Sequence, residues 1–146
     1  MRLESNASIQ IQKPIEEVFE GIVNPVKMTN YFISESSGRL ESGKEVIWKF
    51  PEFADKFPIT EVKIETNRSI SFVWEPETVV TITLEKFPDN STIVRVNEKG
   101  KELNDDNLKW ALENSGGWAN FLACMKAYLE YGIHLRKGAF DFMRKN

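Results

Sequence analysis

The two side chains that most often carry metal or nucleophilic chemistry are nearly missing from these 146 residues, which hold one cysteine, Cys124, and one histidine, His134. A lone cysteine excludes an internal disulfide, and one of each leaves no soft-ligand cluster for zinc. No apolar run approaches the roughly 20 residues that span a bilayer, and Met1-Arg2-Leu3-Glu4-Ser5-Asn6 lacks the basic and apolar segments of a secretory leader. A cytoplasmic chain without a membrane span is expected. Charge of one sign is lacking too: 19 basic and 22 acidic residues are interspersed for a net charge of -3. That field is too weak to concentrate nucleic acid or an anionic membrane. No repeat, low-complexity tract or long linker interrupts residues 1–146, so one domain is expected.

What is present is apolar and periodic. The chain is 41% hydrophobic and 12% aromatic, enough for one substantial core at this length. Leu3, Ala7, Ile9 and Ile11 alternate with polar neighbours as in a strand. Pro14, Glu16 and Glu17 then open a short helix carrying Ile15, Val18, Phe19 and Ile22, with proline and acidic residues suiting its positive end. Asn24-Pro25 restarts the chain, and Val26, Met28, Tyr31 and Phe32 predict a second short helix, ended by Ser36-Ser37-Gly38.

From Lys44 to Gly100 the period changes to two. Val46, Trp48 and Phe50; Val62 and Ile64; Ile70, Phe72 and Trp74; Val80, Ile82 and Leu84; Val94 and Val96 predict five successive strands. Thr66-Asn67-Arg68-Ser69, Glu75-Pro76-Glu77 and Pro88-Asp89-Asn90 fit tight reversals in an antiparallel meander. Glu61, Lys63, Glu65, Thr81, Thr83, Glu85, Arg95 and Asn97 would form its solvated face. The other, concave face needs a cover.

Asn104-Asp105-Asp106 offers capping oxygens and negative charge for a helix from about Asp105 to Ile133. On a helical wheel Trp118, Phe121, Leu122, Cys124, Met125, Tyr128, Leu129 and Ile133 share one half. At about 1.5–3 kcal/mol each, an upper bound before ordering entropy, they make this helix the main contributor to burial. The tail after Arg136 is too short for another domain and is expected to add a turn of helix or fray.

Catalytic signals are weak. His134 at a helix end lacks a Ser or Cys partner in a recognisable motif, and Cys124 lies on the apolar arc as a small hydrophobe. Glu61, Glu65, Glu75, Glu77 and Glu85 are expected to point outward, by strand parity or turn position. Gly116-Gly117 costs about 1 kcal/mol per glycine relative to alanine. Either close packing or a kink explains the pair, or the kink sets the mouth of a cavity beside Trp118.

Ile70-Ser71-Phe72-Val73-Trp74, the Lys13-Pro14-Ile15-Glu16-Glu17-Val18-Phe19 helix opening, Asn24-Pro25, Ser37-Gly38-Arg39-Leu40 and Gly43 carry a resemblance. So does Gly116-Gly117-Trp118-Ala119-Asn120-Phe121-Leu122 leading into Met125-Lys126-Ala127-Tyr128-Leu129-Glu130. With these motifs the chain resembles the activator-of-heat-shock-protein-90-ATPase-like branch of the START-like superfamily. The resemblance implies an α+β helix-grip fold: a curved antiparallel sheet, two short helices after the first strand, and a long C-terminal helix across the concave face. It also implies relatives that bind apolar molecules between sheet and helix, and in some branches transform them.

The leading expectation is a binding protein for an apolar or aromatic small molecule, without metal, nucleotide or other cofactor. Its cavity would be lined by Trp48, Phe50, Phe72, Trp74, Val80, Val94, Trp118, Leu122 and Met125, with Tyr31, Tyr128 and Cys124 as candidate polar contacts. The alternatives are an interaction protein, such as a chaperone partner, and a polyketide-cyclase-like enzyme. No residue is singled out as catalytic. Oligomeric state is left open.

Overall fold

The structure is a computed structural model, and it describes residues 1–144. Strand β1 (Arg2–Ile11) leads into helix α1 (Ile15–Val23) and the single turn α2 (Pro25–Met28). Strands β2 (Glu35–Ser36), β3 (Val46–Lys49), β4 (Lys56–Glu65), β5 (Ser69–Val73), β6 (Val79–Lys86) and β7 (Thr92–Glu102) follow, and helix α3 (Asp105–Tyr131) crosses their inner face. All pairings are antiparallel, in the order β1-β7-β6-β5-β4-β3-β2. The five expected strands are all there, joined by the two-residue β2 that the periodicity does not reveal. The fold is the expected α+β helix grip.

Each element follows from local chemistry. Pro14 stands at the N-cap of α1, and Glu16 and Glu17 occupy its first turn. The helix ends because Pro25 follows Asn24 and has no N–H to donate back into it. The carbonyl of Gly21, deprived of that partner, accepts instead from the buried Tyr31 hydroxyl at 2.8 Å. Asn24 starts α2 by accepting from the Val26 N–H at 3.0 Å. The expected second helix is only these four residues. Tyr31 and Phe32 are buried from the turn that follows, whereas Val26 is 73% exposed rather than part of an apolar stripe.

Asn67 and Asn90, at φ of 59° and 65°, make the reversals before β5 and β7. Between β5 and β6 the chain comes so close to β7 that a Cβ on Gly100 would lie 1.9 Å from the Glu77 carbonyl oxygen. Only glycine fits there. The expected solvated face holds: Glu61, Lys63, Glu65, Thr83, Glu85 and Arg95 are exposed, and Thr81 and Asn97 are half-buried.

Helix α3 begins where Asn104 accepts from the Asn107 N–H at 2.8 Å, with Asp105 and Asp106 in the first turn. It stops at Gly132, whose φ of 66° is left-handed. Ile133 therefore lies beyond the helix and is 52% exposed instead of joining the core face. The other seven residues of that face are buried or packed against the core. The helix runs unbroken through Gly116 and Gly117, where an added Cβ would meet nothing within 4 Å. Close packing is therefore not what requires the glycines.

Candidate functional site

Strand parity that turns Val94 and Val96 inward turns Glu98 inward as well, and all three are fully buried or nearly so. Glu98 stands opposite Val80 in the sheet, beneath α3. Its Oε2 accepts from the Trp74 indole N–H at 2.9 Å and the Thr78 hydroxyl at 2.7 Å. Its Oε1 accepts from the Asn114 amide at 2.8 Å and the Trp118 indole N–H at 3.0 Å. Asn114 and Trp118 are one turn apart on α3, so both reach the same oxygen. The four lone-pair positions of a carboxylate are thus filled by neutral donors from the β5–β6 turn and the helix.

A second buried carboxylate, Glu52, sits in the β3–β4 loop. Arg136, from the chain beyond α3, grips it with both terminal nitrogens, at 3.1 and 2.6 Å, in the fork geometry that makes such pairs strong. The same guanidinium lies 5.7, 5.5 and 4.8 Å from the ring centres of Phe32, Phe50 and Phe140, and its Nε has no hydrogen-bond partner among the described residues. The tail is therefore docked: Arg144 also donates to the Pro51 carbonyl, and Asp141–Met143 form a short 3-10 turn.

Between these two carboxylates lies a pocket of about 280 Å³. Its walls are the rings of Phe32, Phe50, Phe53, Phe57, Trp74, Trp118 and Phe140, and its polar lining is Glu52, Glu75, Glu98, Asn114, Asn120 and Arg136, with Gly117 at the edge. Trp74 and Trp118 stack at 5.1 Å between ring centres, and Phe32 meets Phe50 edge-on at 5.1 Å. Glu75, expected to point outward, instead lines the pocket, 3.4 Å from the Lys101 ammonium. Glu75 lies in the reversal between β5 and β6, where the alternation of a strand does not apply.

Of the residues expected to line a cavity, Phe50, Trp74 and Trp118 border this pocket. Trp48, Phe72, Val80, Val94, Leu122 and Met125 are buried in the core cluster and do not reach it. Trp48 meets Phe72 at 5.4 Å and Trp74 at 6.3 Å, so it backs the pocket wall. The expected polar contacts lie elsewhere: Tyr31 is committed to Gly21, Tyr128 stacks on Tyr31 at 5.9 Å, and Cys124 is buried. Burial pushes the Cys124 thiol up, with Arg136 opposing. Glu98 was legible as the next inward position after Val94 and Val96. The Glu52–Arg136 pair was not, because 84 residues separate its members. His134 is exposed in the turn after α3. Among the described residues no three His, Cys, Asp or Glu side chains gather as a metal site, and no helix is long and apolar enough to cross a membrane.

A curved antiparallel sheet gripping one long helix defines the START-like, helix-grip class. Within it, residues 12–130 match the family model described as Activator of Hsp90 ATPase homolog 1-like protein, and the chain belongs to that family. It is similar to the solved protein SSP2350 from Staphylococcus saprophyticus, at 31% identity and a TM-score of 0.81 over 92% of this chain and 96% of that one. DynU16, from the dynemicin biosynthetic locus, is 23% identical with a TM-score of 0.79; the match covers 90% of this chain but 48% of DynU16. The Aha1 dimer from Colwellia psychrerythraea is 20% identical with a TM-score of 0.75, over 89% and 98% of the two chains. The last two likenesses establish shared fold alone. No curated protein matches the chain.

Proposed function

We propose that this chain is a small-molecule binding protein whose ligand is an apolar or aromatic compound held in the pocket bounded by Trp74, Trp118, Phe50 and Phe32. The observation that carries the reading is the combination of aromatic walls with a few convergent, buried polar groups, the usual anatomy of a ligand site. At about 280 Å³ the space falls just below the roughly 300–1,000 Å³ typical of such sites. A compact ligand is implied.

A cyclase-like reaction is the weaker reading, because a general base needs an unoccupied lone pair and Glu98 has a donor on each of its four. Its arrangement ties the β5–β6 turn to α3 and so fixes the Trp74 and Trp118 walls of the pocket. A role as a chaperone partner rests on family membership alone.

The test is native mass spectrometry of the protein from its own host, followed by extraction of any retained molecule. A stoichiometric ligand is expected, and it should be absent from Gly117→Leu. That substitution improves helix propensity and enters open space at the pocket edge, so the variant should fold. A ligand retained equally by Gly117→Leu would place binding elsewhere. An empty protein that also binds nothing from an apolar library would overturn the reading.

A further inference from the structure

We propose that the pocket selects organic cations, meaning a compact apolar body bearing an amine or quaternary ammonium; the inference rests on the pocket-binding reading above. Four charged side chains line the space: Glu52, Glu75, Glu98 and Arg136. The Arg136 charge is matched by Glu52, and both terminal nitrogens of its fork are committed there. Glu75 faces Lys101, which lies outside the lining. Glu98 is different. Among the described residues it joins no ion pair, and its four partners are all neutral.

The two indole N–H groups and the Asn114 amide N–H only donate, so three of the four positions on the Glu98 oxygens must accept, and the Thr78 hydroxyl donates to the fourth. They spread the negative charge of Glu98 without cancelling it, and a buried charge without a counterion is costly. The cavity beside it is where a missing positive charge fits. The walls have the same preference, because aromatic faces are electron-rich and attract cations within about 6 Å. Arg136 already demonstrates this at the pocket, with its guanidinium over Phe32, Phe50 and Phe140. An anion would meet three carboxylates and an arginine already engaged. A neutral molecule would gain the rings but not the charge.

The probes are three compounds of one shape: 1-naphthylmethylamine, 1-naphthalenemethanol and 1-naphthoate, titrated calorimetrically into the full chain at neutral pH and low salt. The amine is expected to bind at least about tenfold more tightly than the alcohol, and the acid most weakly. Glu98→Gln, which keeps the shape and removes the charge, should erase the amine's advantage. Lys101→Gln, which leaves Glu75 unmatched, should enlarge it. These opposite shifts are not what general destabilisation produces, and the wild-type comparison stands even where Glu98→Gln does not fold. Binding of the alcohol or the acid as tightly as the amine overturns the cation preference while the pocket-binding reading survives. Binding of none of the three overturns the cation preference and leaves the pocket-binding reading to be decided by the native mass spectrometry and apolar library above.

Discussion

Two stretches of the seam between helix and sheet use the same kinds of side chain and end differently. Beneath the C-terminal half of α3, Tyr31, Phe72, Phe121, Leu122 and Met125 pack shut, each 0–1% exposed. One turn earlier, at Trp118, equally large rings leave a pocket. In the closed stretch one directional bond, from the Tyr31 hydroxyl to the Gly21 carbonyl, is present, and the other side chains are apolar groups without fixed partners that pack by contact alone. In the open stretch, hydrogen bonds from Trp74, Thr78, Asn114 and Trp118 to Glu98 hold sheet turn and helix at set distances. The Arg136–Glu52 pair sets the far side, and Gly117 has no side chain to fill the gap. Directional bonds, not a shortage of apolar bulk, keep the space open.

The contrast can be broken most severely in the closed stretch. Leu122→Ala should lower unfolding free energy in urea by about 2–5 kcal/mol, as expected for a cavity in a tightly packed core. A loss below about 1 kcal/mol would mean that this stretch re-collapses as easily as a surface. The open stretch is next. Trp118→Phe keeps a ring facing Trp74 but removes one donor from Glu98, and a buried acceptor left short should cost about 1–3 kcal/mol in the same assay. No measurable cost would show that Glu98 does not hold the helix in place.

The smallest effect sharpens the comparison by pH. Tyr31→Phe removes the hydroxyl that replaces the missing Pro25 donor, at a cost of about 0.5–1.5 kcal/mol near neutrality. Burial, and then the neighbouring Tyr128, raise the Tyr31 phenol well above its ordinary value of 10.0. The folded chain keeps this proton while the unfolded chain gives it up near pH 10, so the contribution is complete below that pH and is lost as pH rises through the folded value. Denaturation midpoints of the native protein should therefore fall more steeply above pH 10 than those of Tyr31→Phe. Parallel curves would mean that the phenol ionises without unfolding the closed stretch.

Much of this arrangement is legible along the chain. Period-two alternation locates β3 to β7, Asn104-Asp105-Asp106 marks the start of α3, and the helical wheel picks out Trp118, Phe121, Leu122, Cys124 and Met125 as its buried face. The site is less legible. Phe50, Trp74 and Trp118 come from the pattern, and Glu98 continues it, but an acidic residue at an inward position reads as an interruption until its donors are seen. Glu75 misleads because a reversal has no parity, and Val26 because four residues of helix are too few to fix a face.

What the sequence determined by itself is therefore local and periodic: the order of strands and helices, the inward faces, the caps, and the family. These depend on neighbours within a few residues, where backbone geometry repeats. Only the tertiary structure decided which inward side chains close the core and which border a space. That choice rests on contacts between Trp74, Glu98 and Trp118 and between Glu52 and Arg136, groups 20 to 84 residues apart. Their meeting is set by how the sheet curves and where α3 ends, and no periodicity encodes either.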